Sequence, residues 1–189
     1  MKVLISGNRH QGVSAAVGRA MPEYEITYAS RSTGYDLTMS DSQREFAAEA
    51  TLHDVVILCA ALWKFNQTVL LDTVAKRCAE TGATPHIICI GSTTDRVKKG
   101  GAWLYNAEKK ALRDYCNTHG ISGVWGNNKP KITLVSFGTL DNNQHKHPDR
   151  KCLNIDEAAY YIRWIVEQPR SVAVNEISID PMQGDHWYD

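Results

Sequence analysis

In the stretch LYNAEKKALRDYC, Tyr105 and Lys109 stand four residues apart. On a helix such residues share one face, so this phenol and this ammonium can converge on a single ligand. A free phenol titrates near pH 10 and is a poor acid–base group at neutral pH, whereas a neighbouring ammonium favours phenolate and draws the pKa toward the working range. The pair could therefore move a proton. Spacing alone is weak, since eleven lysines in 189 residues give each of the eight tyrosines about a 6% chance of a lysine at +4. Tyr105 is nevertheless the only tyrosine with that match, and it falls thirteen residues after Ser92, the last residue of the apolar run HIICIGS.

Those residues need elements to hold them. Short apolar runs recur along the chain: KVLI at 2–5, EITYA at 25–29, DVVILCAA at 54–61, HIICIGS at 86–92, KITLVSF at 131–137 and VNEISI at 174–179. Between them lie segments of helical periodicity, predicted at Gly12–Met21, Ser40–Ala50, Asn66–Thr81, Trp103–His119 and Ile155–Glu167. Alternation of this kind predicts an α/β fold, a Rossmann-type doubly wound parallel sheet with helices on both faces. Ser40 followed by Gln43 reads as a capping box, and Gly82 and Gly120 read as helix stops. The polar segments at 120–130 and 141–151 read as loops.

The whole chain bounds the function. At 189 residues it suits a single domain, 1–189, with one principal site. Twenty-one basic against 21 acidic residues remove the usual electrostatic case for a nucleic acid or an anionic membrane, and favour a small-molecule protein. Five scattered cysteines without a CxxC pair disfavour a disulfide framework or a thiolate metal site and suggest reduced thiols in a cytoplasmic protein. The longest apolar run, Val55 to Trp63, is far shorter than the roughly 20 residues that span a bilayer. No leader-like segment opens the chain, so a soluble protein is expected.

The first strand runs into SGNRHQGVSAAVG, a glycine-bearing turn before a small-residue helix, the setting in which backbone N–H groups and a helix N-terminus bind a pyrophosphate. Gly7 and Gly12 are five apart and Ser14 stands where a third glycine is common, so the dinucleotide fingerprint is loose. Gly18 is expected to let the helix approach the sheet. After the second strand, at the place that meets an adenosine ribose, SRS offers Ser30, Arg31 and Ser32 rather than an acid. Two hydroxyls and a guanidinium suit a 2′-phosphate, and Arg9 could add a second positive group. NADP(H) is thus favoured over NAD(H).

In this order the motifs resemble the short-chain dehydrogenase/reductase family, over nearly the whole chain, as an unusually short member. The family's strand-end Ser, its Tyr and the Lys four residues on correspond to Ser92, Tyr105 and Lys109. The resemblance extends to DLT at 36–38, with Asp36 in the place of the adenine-contacting acid and Leu37 beside it. LCAA at 58–61, with Ala60 and Ala61, stands for the family's Asn-Asn-Ala-Gly, and FGT at 137–139, with Gly138 and Thr139, stands for Pro-Gly and a Thr that contacts the nicotinamide carboxamide. It implies a carbonyl–alcohol interconversion in which Tyr105 exchanges the proton, Ser92 holds the substrate oxygen and Lys109 also binds the nicotinamide ribose, with no metal required. Asn66 is the candidate for a further Asn that organises a proton path to the lysine. Its short distance from LCAA implies a deleted helix.

The resemblance also implies a homodimer or homotetramer built through the helices of Asn66 and Tyr105, and a mobile substrate loop at 139–150. His145 and His147 read as solvated rather than metal-binding. Trp63, Trp103 and Tyr188 are candidates to line the pocket, with packing as the alternative. A non-catalytic dinucleotide-binding regulator or redox sensor on the same fold is the rival function.

Overall fold

All six apolar runs contribute strands: β1 (Lys2–Ser6), β2 (Glu25–Ala29), β3 (Val55–Leu58), β4 (His86–Ser92), β5 (Lys131–Phe137) and β6 (Glu176–Ile179). They form one parallel sheet in the order β2-β1-β3-β4-β5-β6 in the computed structural model, which describes residues 1–96, 103–125 and 129–183. Strands covered on both sides have no wet face, so they read as continuous apolar runs rather than as alternation. Pairing of β1 with β3 runs from Val3↔Val55 to Ser6↔Leu58 and stops there, so residues 59–61 leave the sheet earlier than their apolar character predicts.

Among the described residues five α-helices, α1 (Gly12–Ala20), α2 (Ser40–Ala50), α3 (Asn66–Thr81), α4 (Leu104–Trp125) and α5 (Ile155–Val166), cover the sheet. One core joins Phe46, Leu70, Leu71, Val74 and Leu112 of α2, α3 and α4 to Leu4, Val56 and Leu134 of the sheet. The other joins Val17 of α1 and Ala158, Ile162 and Ile165 of α5 to Val3, Ile57 and Val135. Gly18 sits where an added Cβ would lie 1.7 Å from the Tyr28 hydroxyl, so its lack of a side chain allows α1 to approach β2 closely.

Three local expectations are corrected. Gly82 ends α3 in the left-handed region (φ 73°), but Gly120 does not end α4, which runs on to Trp125 through the segment read as a loop. A Cβ at Gly120 would stand 3.3 Å from the Ile132 carbonyl, so this glycine serves close packing on β5. The capping box at Ser40 does not form, because Met39 is the N-cap and Gln43 turns into the core to donate to the Leu37 carbonyl at 2.8 Å. That carbonyl would otherwise be buried without a donor. The segment read as a loop carries a short 3-10 helix, Asp141–Lys146, and Leu140 bridges Leu153. Gln144 holds it together by donating to the His147 and Arg150 carbonyls at 2.8 and 2.9 Å.

Candidate active site

The strand order reverses between β1 and β3, and at such a switch point the carboxyl ends of the strands part to leave a crevice. Gly7 stands in it at φ 142°, and a Cβ there would lie 2.6 Å from Ser14. Ser14 is buried and donates to the Asn8 carbonyl at 2.7 Å, so the residue that spoils the glycine fingerprint pins the turn. Gly12 (φ 71°) opens α1 with empty space where a Cβ would go, and the N-cap Gln11 makes no side-chain hydrogen bond. The first N–H groups of α1 therefore lack a side-chain cap, as an anion cradle requires. Across the crevice the Ala60 N–H donates to Ser6 Oγ at 3.1 Å.

Two adjoining cavities continue from this turn. One of about 440 Å³ includes Gly7, Asp36, Leu37, Ala60, Ala61 and Trp63 in its lining. The other, about 350 Å³, includes Asn8, Arg9, His10, Ser30 and Ser32. The Ser30 and Ser32 hydroxyls lie 2.8 Å apart there, and Arg9 Nε donates to His10 Nε2 at 2.9 Å. These hydroxyls and this guanidinium can donate hydrogen bonds to an anionic group. Arg31 is engaged elsewhere: its Nε donates to Asp36 Oδ2 at 3.2 Å, while Thr38 donates to Asp36 Oδ1 through N–H and hydroxyl at 3.1 and 2.7 Å. The Thr38 hydrogen bonds, with a smaller contribution from Arg31, hold the Asp36 carboxyl below its usual range. Arg9, more than Arg31, has its charge at the smaller cavity.

Ser92 and Tyr105 meet at the carboxyl end of β4. The Ser92 hydroxyl, which accepts from the Thr94 N–H at 3.4 Å, is close enough to the Tyr105 phenol to favour phenolate. Burial outweighs it, and with Glu108 and Asp95 nearby the phenol titrates above, not below, its ordinary value. The lysine-driven depression expected from the spacing is absent because the ammonium is spent elsewhere. Lys109 Nζ lies 5.5 Å from the Tyr105 ring centroid and donates to Gln67 Oε1 at 2.7 Å and to the Ile90 carbonyl at 3.2 Å. Burial pulls this lysine down to about 8, against the opposing pull of Cys89 and Glu108.

Asn66 is not brought to the lysine. Its side-chain amide donates to the Trp63 carbonyl at 2.8 Å at the exposed start of α3. Gln67, one residue on, is buried and bridges three elements, donating to the carbonyls of Leu58 (3.3 Å) and Ile90 (2.9 Å) while accepting from Lys109. Gly138 follows β5, and a Cβ there would stand 2.6 Å from Pro181, so its bareness admits the chain beyond β6. The Thr139 carbonyl accepts from the Leu153 N–H at 2.9 Å.

No protein-family model matches the chain, and no curated protein matches it in sequence. Solved structures do match in shape. The serine dehydrogenase of Escherichia coli superposes with a TM-score of 0.71 at 16% identity, over 95% of this chain and 97% of that one. Serine dehydrogenase in its closed form with NADP+ gives 0.73 at 16%, over 95% and 94%. A short-chain dehydrogenase from Burkholderia cenocepacia in complex with NADP gives 0.75 at 14%, over 94% and 87%. This chain has the short-chain dehydrogenase fold.

Within that fold the serine turn and the tyrosine helix are locked together. Asn106 donates to the Thr94 carbonyl, and the buried Asp95, in the turn after Ser92, accepts from Ser136 on β5 at 3.1 Å. Arg113 of α4 pairs with Glu176 of β6 at 2.7 Å. Glu108, also buried, accepts from the N–H groups of Lys64 and Phe65 at 2.5 and 3.3 Å, and so ties the β3–α3 turn to the tyrosine helix. Sequence reasoning missed Gln67, Glu108 and Asp95, because a polar residue among polar neighbours does not announce burial. Tyr188 lies outside the described residues.

Proposed function

We propose that the protein is an NADP(H)-dependent oxidoreductase that interconverts a carbonyl and an alcohol. The observation that carries this reading is the placement of Tyr105, with Lys109 5.5 Å from its ring and Ser92 at the nearby end of β4, beside a switch-point groove suited to a dinucleotide. The neighbours solved with NADP support it by fold. Gly7, Gly12 and the α1 N-terminus would hold the pyrophosphate, Leu37, Ala60 and Ala61 the adenosine side, Arg9, Ser30 and Ser32 the 2′-phosphate, and Gly138 and Thr139 the nicotinamide end. When bound, the nicotinamide supplies or accepts the hydride.

For each hydride delivered to the carbonyl carbon, one proton must reach the oxygen. Tyr105 gives it, and the Ser92 hydroxyl donates a hydrogen bond to the same oxygen as charge develops there. A phenol raised by burial is protonated at neutral pH, which suits it as the acid of reduction. Lys109, held near neutral pKa, can pass a replacement proton to the phenolate and in this position can also hydrogen-bond a ribose hydroxyl. Val69 on α3 and Leu104 and Ile121 on α4 leave exposed apolar side chains, which suit pairing of these helices with a second copy.

A non-catalytic dinucleotide sensor is the second reading, favoured by one observation: the lysine amine is committed to Gln67 and Ile90 rather than to the phenol. NADPH titration followed by a carbonyl screen of wild type and Tyr105→Phe decides between them. Turnover abolished by Tyr105→Phe with NADPH still bound supports the enzyme; bound NADPH with no turnover in either protein supports the sensor.

A further inference from the structure

We propose that Trp63 and Trp103 form an aromatic wall around Tyr105 that selects carbonyl substrates bearing a flat, unsaturated ring beside the reacting carbon. The inference rests on the oxidoreductase reading above. The Trp63 ring centroid lies 5.4 Å from that of Tyr105 with the planes tilted by 50°, and the Trp103 centroid lies 6.2 Å away at 58°. Two indoles from two different elements, the β3–α3 turn and the residue before α4, thus lean on the same phenol. A carbonyl whose oxygen meets the phenol must lay its substituents near them.

Neither indole is core. They are 62% and 65% exposed, whereas the large side chains that fill the two cores are fully buried. Exposed indoles packed against a half-buried phenol are recognition surface by their chemistry, since an aromatic ring set on them in offset or edge-to-face contact gains attraction beyond the area it covers, which a saturated ring does not.

The position of Trp63 is also enforced at a cost. Lys64 and Phe65, which follow it, both sit in the left-handed region, at φ 58° and 61°, without being glycine. Such strain persists only where the surroundings over-determine it. The Glu108 carboxylate does so here, accepting both N–H groups of the strained pair from the helix that carries Tyr105. The turn therefore sets one indole at a fixed place relative to the phenol.

The test uses acetophenone and cyclohexyl methyl ketone, which share a carbon count and differ in the flatness of the ring. The ratio of their kcat/KM values is compared among wild type, Trp63→Leu and Trp103→Leu, which cancels the intrinsic reactivity of each ketone. The ratio should fall about threefold in each variant and about tenfold in the double variant, the scale of two lost aromatic contacts. A parallel titration follows the indole N–H resonances: acetophenone should shift those of Trp63 and Trp103 at concentrations where cyclohexyl methyl ketone does not. Failure of the oxidoreductase reading shows as no turnover of either ketone, with or without NADPH bound, while these shifts are retained. Unchanged ratios, or indole signals that respond to protein dilution and to neither ketone, overturn the proposal and assign the two rings to a subunit contact.

Discussion

Lys109 donates to the side-chain carbonyl of Gln67 at 2.7 Å, and both residues also donate to the Ile90 carbonyl, so one glutamine joins the lysine to the ends of β3 and β4. The amine is thereby placed by the strand ends rather than by its own helix alone. Four consequences of this contact and of others in the fold can be measured.

Gln67→Leu should leave the buried ammonium with a single protein acceptor and lower its pKa further below about 8. The basic features of the pH–rate profile should move toward acid by about one unit, and Gln67→Glu should move them the other way. Stability has a defined sign. The folded pKa lies below the 10.5 of free lysine, so between pH 8 and 10.5 the unfolded chain binds more protons and stability rises with pH. Lys109→Met should abolish that rise, read from urea midpoints across the window.

Arg9→Ala should weaken NADPH relative to NADH by about tenfold or more, the scale of one lost charge-assisted contact. Arg31→Ala should cost less, because Asp36 already takes its guanidinium. Fluorescence titration of both nucleotides checks this; equal losses of NADPH and NADH in Arg9→Ala would remove that residue from the 2′-phosphate.

Glu108→Ala should destabilise the protein by about 1–2 kcal/mol, because two part-buried hydrogen bonds that hold a strained turn lose their acceptor. Glu108→Gln, which keeps a carbonyl acceptor, should recover most of it. Lys64→Gly should stabilise by about 1 kcal/mol by removing the left-handed strain. Chemical denaturation of the three variants gives the ranking.

His86 opens β4 at the end of the sheet opposite the site, with Nε2 2.7 Å from Thr133 Oγ1. Burial, with Lys131 adding a smaller push, brings its pKa down to about 3. The unfolded chain takes up the proton below about pH 6.5 and the folded chain does not, so stability present above 6.5 is lost as pH falls toward 3. The slope should reach at most about 1.4 kcal/mol per pH unit. His86→Gln should flatten it, as followed by denaturation at pH 7, 5 and 4.

Asn66 and Gln67 show where reading a sequence stops. Both are polar, adjacent and at a helix start, and the resemblance pointed to the first. Which one faces inward depends on the phase at which α3 begins, and that phase is set by two left-handed residues that no local preference selects, since neither is glycine. Gln43 makes the same point, because a capping box and an inward-turned glutamine share one local pattern. Gly120 could be read as a helix stop because the carbonyl of Ile132 that it accommodates is twelve residues away.

By itself the sequence determined the strands, the helices, their alternation and the ordering of a serine, a tyrosine and a lysine, because these follow from periodicity and spacing within single elements. Tertiary structure alone decided which polar side chains are buried, and therefore where the lysine's protons point, which way the phenol's pKa moves, which arginine lines the smaller cavity and which indoles flank the tyrosine. Burial and hydrogen-bond partnership are properties of residues far apart in the chain, and Gln67 to Lys109, 42 positions apart, is the clearest instance.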